Sequence, residues 1–84
     1  MQKTEILEKV QNVIKETMNR DVKDDMLSAD IDLITSIGMN SIDAISILVR
    51  IEEEFEFEIN DEDLSAELIQ TTGKLTEYIA SRLG

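Results

Sequence analysis

The chain has 84 residues, with 19 acidic against 8 basic side chains and a net charge of −11. That length suits one small domain, taken as 1–84, with room for only a modest core. The acidity argues against nucleic acid and anionic membrane, whose phosphates demand the opposite sign, and in favour of basic protein surfaces.

In chain order, Ile6, Leu7, Val10, Val13, Ile14 and Met18 come first, at helical spacing, with Glu8, Lys9, Lys15 and Glu16 on the other side. A helix is therefore predicted over 4–18, with Thr4 as its cap and Glu5 well placed for the helix dipole. Residues 19–40 have no sustained period. They read as an ordered connection containing one short turn of helix, pinned by Val22, Met26, Leu27, Ile31, Leu33, Ile34 and Ile37. Gly38 ends it, supplying backbone freedom that a bulkier residue would lack.

A second helix is predicted from Ser41 to Phe55. At about 100° per residue, Asp43, Ser46, Arg50, Glu53 and Glu54 fall in one arc. Ile42, Ala44, Ile45, Ile47, Leu48, Val49, Ile51 and Phe55 sweep most of the remainder, and only Glu52 intrudes. So wide an apolar arc marks a central helix, either buried on more than one side or offering aliphatic surface to a partner. A third, short helix is predicted near Asp61, with Asn60 as cap, Asp63 as the capping-box acid and Ile59 stapled onto Leu64. Leu64 and Leu68 would give it one apolar edge. The last helix follows Thr71-Thr72-Gly73, with Leu75, Tyr78, Ile79 and Leu83 in phase, and closes at Gly84. No segment reads as a strand. The expected architecture is all-α: three main helices plus one short helix, with a long first loop.

The absence of cysteine and histidine removes disulfides, thiolate sites and the commonest metal ligand and general base. An EF-hand loop needs glycine at its sixth place and glutamate at its twelfth. Counted from Asp30 these places hold Thr35 and Ser41, and from Asp61 they hold Ala66 and Thr72, so no metal site is expected. The acids at 52, 53, 54, 56 and 58 read as a solvated face rather than an acid/base pair. With no Gly-rich phosphate loop and no base to activate Ser41, an enzyme is not expected. The N-terminal stretch is charged and periodic, unlike a signal peptide, and no apolar run has the length of a membrane span. A cytoplasmic monomer is the expectation.

Ser41 stands at the start of the most hydrophobic helix. Either Asn40 or Ser41 can cap that helix, with Asp43 favourable in its first turn. Yet a helix N-terminus also favours a phosphate, so a hydroxyl held there is well placed to carry a phosphodiester. Cap and anchor can share one place.

Here the sequence resembles the acyl carrier proteins, whose attachment motif reads approximately L-G-x-D-S-L-x-x-[IVL]. This chain has Ile37-Gly38-Met39-Asn40-Ser41-Ile42, then Ile45. Four further segments follow in family order: Arg50-Ile51-Glu52-Glu53-Glu54-Phe55, the run from Phe57 to Asp63, Thr71-Thr72, and Glu77-Tyr78-Ile79. The resemblance spans about residues 4–83. It implies that Ser41, within the motif that includes Asn40 and Gly38, carries 4′-phosphopantetheine donated from coenzyme A by a phosphopantetheinyl transferase. It also implies acyl-transferring and condensing enzymes with basic surfaces as partners. They would read Asp43, Glu52 and Glu53 electrostatically and Ile42, Ile45 and Val49 by apolar contact. Ile45 and Val49 are equally readable as core. Candidates to line an acyl cavity are Ile47, Leu48, Ile51, Phe55, Ile59, Leu64 and Tyr78, which in the unloaded form read as packed core.

The chain departs from the family pattern at Asn40, where aspartate is usual, and at Ser46 and Arg50, where an acid and a small residue are frequent. Arg50 on the recognition helix points to a specialised partner set. Asn60 stands where proline is common, and Leu64–Gln70 is somewhat long. The implied role is a carrier of fatty-acyl or polyketide intermediates. Two alternatives stay open: an aminoacyl or peptidyl carrier, and an unmodified acidic helical adaptor for which Ser41 is merely a cap.

Overall fold

The computed structural model describes residues 2–18, 22–28, 30–65 and 67–83. Four α-helices are present: α1 (Lys3–Met18), α2 (Leu33–Ile37), α3 (Ser41–Phe55) and α4 (Thr72–Leu83). Two 3-10 turns, Asp24–Leu27 and Asp61–Asp63, lie in the connections, and no strand occurs among the described residues.

The helical period of α1 buries Ile6, Val10, Val13, Ile14 and Met18 against α3 and α4. α1 runs antiparallel to α3, because Lys9 pairs with Glu54 (3.7 Å) while Glu16, further along α1, pairs with Arg50 (2.8 Å). It runs antiparallel to α4 as well. Lys3 reaches Glu77 at 2.9 Å, whereas Gln11 and Thr72 both donate to the Leu27 carbonyl. The floor of the bundle is α3, which sinks Ala44, Ile47, Leu48, Ile51 and Phe55 into the common core. Each large buried side chain there contributes about 1.5–3 kcal/mol relative to exposure.

The helix at 4–18 begins one residue earlier than predicted, at Lys3. The Gln2 carbonyl accepts from the Glu5 and Ile6 N–H groups (3.1 Å each), so Thr4 lies inside the first turn and is not the cap.

Among its described residues, 22–28 and 30–40, the first connection holds two short helical pieces rather than the one predicted. Val22, Leu27, Leu33 and Ile37 are buried anchors, and Met26 packs against them. Ile34 does not follow: on α2 it is 46% exposed. Buried carbonyls must be satisfied wherever no helix does so, and here side chains do it. Leu27 O accepts from Thr72 Oγ1 (2.8 Å) and Gln11 Nε2 (3.2 Å), and Met26 O accepts from Ser36 Oγ (3.1 Å). Leu33 N–H donates to Gln70 O at 2.8 Å, tying this connection to the other one.

The predicted third, short helix begins at Asp61 but is a 3-10 turn, Asp61–Asp63, rather than an α-helix among the described residues, and Leu64 leaves helical geometry at ψ 85. Nucleating a helix is costly, and its intended signals are engaged elsewhere. Asn60 makes no cap bond; its Oδ1 accepts from Arg82 Nη2 (3.4 Å). Asp63 accepts the Tyr78 hydroxyl (3.0 Å) rather than closing a capping box. The segment is held instead by burial of Ile59, Leu68 and Ile69, with Leu64 packed against the core. The last helix starts at Thr72, earlier than the predicted start after Gly73, and Thr71 Oγ1 accepts from Lys74 N–H (3.1 Å). Its predicted close at Gly84 lies outside the described residues. Among the described residues no helix is long and apolar enough to cross a membrane.

Candidate functional site

The site is built by the six residues that lead into α3. Asp32 caps α2, its Oδ1 accepting from the Ile34 and Thr35 N–H groups (2.9 and 3.4 Å). Leu33 and Ile37 anchor α2 in the core. Gly38 then takes a left-handed conformation at φ 67, which lets the chain reverse direct from one helix toward the next. Met39 plunges back inward and is only 2% exposed. Buried residues on both sides of Gly38 therefore fix the point where α3 begins.

At that point Asn40 is the N-cap. Its Oδ1 accepts from Asp43 N–H (2.8 Å), and Asp43 Oδ2 accepts in return from Asn40 N–H (3.4 Å). Ser41 is the first helical residue and is exposed. Among the described residues no hydrogen bond occupies its hydroxyl. Of the two residues able to cap, Asn40 does so, and the serine oxygen is left facing solvent. A phosphodiester there would sit beside the free N–H groups and positive dipole end of a fifteen-residue helix. The residues present fit such a group.

Beyond Ser41, α3 turns an aliphatic strip outward: Ile42 is 78%, Ile45 39% and Val49 42% exposed. The alternative that Ile45 and Val49 belong to the core is thereby excluded. Glu53 is exposed beside them and Asp43 partly so, although Asp43 also closes the capping box. Arg50, expected to face a partner, is paired with Glu16 on α1. That pair is itself exposed to solvent.

Glu52 has a task within the fold that sequence reasoning missed. Its Oε2 accepts the Ile59 N–H (2.8 Å), and its own carbonyl accepts from Glu56 and Phe57 N–H at the end of α3. Glu56 turns that end in a left-handed conformation, φ 54. The signal was present in the sequence: Glu52 is the one charge within the apolar arc, and a charge in that position asks for a fixed partner. Met39 was likewise missed, since a lone apolar residue in a loop has no period to reveal it.

Of the residues expected to line an acyl cavity, Ile47, Leu48, Ile51, Phe55 and Ile59 are buried core, while Leu64 and Tyr78 are partly buried at its edge. Tyr78 also borders a polar groove of about 180 Å³ with Asp63, Leu68 and Lys74. Burial, and then the hydrogen bond to Asp63, push the Tyr78 phenol above its ordinary value, so it stays protonated and donates. Arg82 stacks on the Tyr78 ring (5.5 Å) and donates to Glu58 O (3.0 Å), strapping the end of α4 to the segment after α3.

Residues 8–79 match the family model described as a phosphopantetheine attachment site. Among solved structures the chain is similar to the acyl carrier protein from Enterococcus faecalis, described for structural components that contribute to its high thermal stability. The two are 32% identical, the match covers 96% of this chain and 98% of that one, and the TM-score is 0.73.

Proposed function

Because the chain belongs to the phosphopantetheine-attachment family and is an acyl-carrier-type domain with 4′-phosphopantetheine as its cofactor, we propose that Ser41 bears the arm and that the loaded protein shuttles fatty-acyl or polyketide-type intermediates between enzymes. One observation carries this reading: the exposed hydroxyl of Ser41 at the first position of α3, released from capping by Asn40. When bound, the arm supplies the thiol on which cargo is held as a thioester, chemistry that a chain without cysteine cannot provide itself.

In the attachment step Ser41 Oγ attacks the β-phosphorus of coenzyme A. The Oγ–P bond forms, the pyrophosphate P–O bond breaks, 3′,5′-ADP leaves, and the hydroxyl proton passes to a base of the transferase. The α3 N-terminus then stabilises the new phosphodiester anion. Gly38 and Met39 hold the attachment point on a fixed platform. Partner enzymes with basic surfaces meet Asp43 and Glu53 electrostatically, with Ile42, Ile45 and Val49 as the apolar contact. Such complementarity favours fast, salt-sensitive encounters of moderate affinity, which suits a shuttle that must also let go.

The test is intact mass after incubation with coenzyme A, magnesium and a broad-specificity phosphopantetheinyl transferase. One phosphopantetheine is gained by the wild type and none by Ser41→Ala; an unmodified wild type overturns the reading. Loading with acyl and aminoacyl donors in parallel separates acyl cargo from peptidyl-type cargo.

A further inference from the structure

We infer that Asn40 is a positioning residue for the modification of Ser41: by holding the α3 cap one residue upstream, it keeps the serine oxygen from capping the helix itself. The inference rests on Ser41 as the attachment residue. Two cap registers compete at this point in the chain. In the observed one, Asn40 accepts from Asp43 N–H at 2.8 Å, and Asp43 closes the box by accepting from Asn40 N–H at 3.4 Å. In the other, the helix unwinds by one residue and Ser41 becomes the cap, its Oγ accepting from the N–H of Ala44, now the third helical residue, so that the Asp43 N–H loses its partner.

The second register is chemically reasonable, since serine caps about as well as asparagine. It fails here for two reasons. The residue that would have to reciprocate is Ala44, which has no acceptor and is fully buried. The upstream box, by contrast, is complete. The sequence thus selects the register in which the nucleophilic oxygen is unengaged. A side chain at position 40 that cannot cap removes that selection. Ser41 Oγ would then spend part of its time bonded to its own helix and turned from the transferase.

The experiment is a series at position 40 that separates capping from amide chemistry. Asn40→Asp and Asn40→Ser keep a short cap acceptor; Asn40→Gln keeps the amide but is too long to cap; Asn40→Ala keeps neither. The measurements are kcat/KM for phosphopantetheinylation of the full chain and hydrogen exchange of the Asp43 amide, with far-ultraviolet circular dichroism verifying the fold. The expected result is rescue by Asp and Ser to within about threefold of wild type. Gln and Ala slow the reaction about fivefold, the scale of one lost N-cap, and expose the Asp43 amide to faster exchange while amides deeper in α3 keep their protection.

Native rates for Gln would overturn the inference, because the amide rather than the cap would then matter. So would Ser reacting as slowly as Ala, a comparison that survives even if the Gln variant fails to fold. If the wild type is modified at Ser41 and the whole series reacts equally, the inference falls while the attachment reading stands. If the wild type is never modified, the attachment reading falls first.

Discussion

The connection before α3 and the segment after it are both long and both bury a residue near their end, Met39 and Ile69, yet they are tied down differently. Residues 22–40 are pinned by side chains in the core and by carbonyls that find donors from α1, α2 and α4, as at Leu27 and Met26. The described residues of 56–71 also bury Ile59, Leu68 and Ile69, but they add side-chain bonds at a partly solvated edge: Glu52 to the Ile59 N–H, Tyr78 to Asp63, and Arg82 to Glu58. The first region places Ser41, so under the proposed attachment its anchoring would hold the acceptor hydroxyl in position. The second buries Ile59 beside the end of α3, and under the proposed role it would have to give way to an acyl chain entering the core. A bond at a partly solvated edge opens more cheaply than a buried anchor lifts, which fits a wall better than a platform.

That contrast can be broken most severely at Leu27. Leu27→Ala empties a fully buried site and should cost about 2–5 kcal/mol, read as a lowered urea midpoint, with slower modification of Ser41 as the platform loosens. Loss of stability below about 1 kcal/mol would mean the first connection is not anchored as described.

A smaller effect is expected at Glu52. Glu52→Ala leaves the Ile59 N–H without its acceptor and should cost about 1–2 kcal/mol, with faster amide exchange at Ile59. Glu52→Lys should therefore both weaken partner transfer and lower stability, whereas Glu53→Lys, at an exposed position, should slow transfer with the midpoint unchanged. Equal effects of the two reversals on stability would remove the latch.

Tyr78→Phe deletes one edge bond and should cost about 0.5–1.5 kcal/mol. Its pH dependence carries a sign. The folded phenol lies above the unfolded value of 10.0, so the protonated form contributes stability that is present below pH 10 and lost as pH rises through the folded value. The wild type should lose stability through that alkaline range by a step that the Phe variant lacks. Last and smallest, Glu56→Gly relieves a left-handed non-glycine residue and should raise stability by about 0.5 kcal/mol, measured as a small upward shift of the thermal midpoint.

The same comparison explains what reading residues in order could and could not achieve. In the second region the local signals of Asn60, Asp63 and Leu64 pointed to a helix, but their donors and acceptors are taken by Tyr78 and Arg82, fifteen or more residues away. In the first region Asp32 caps α2, an ordinary local signal that goes unused because residues 19–40 show no sustained period. Thr4 offered an equally ordinary signal and was passed over for Gln2.

By itself the sequence determined α1, α3 and α4, the reversal at Gly38 and the motif around Ser41, because helical period, glycine backbone freedom and short-range capping all act within a few residues. The tertiary structure alone decided which part of the α3 arc faces outward, that Arg50 pairs with Glu16 on α1, that Glu52 latches the following segment, and that the short helix at Asp61 is a 3-10 turn. Each of those outcomes turns on a partner brought near by folding, and the free energy of a hydrogen bond or a buried methyl depends on that partner rather than on the residue's neighbours in the chain.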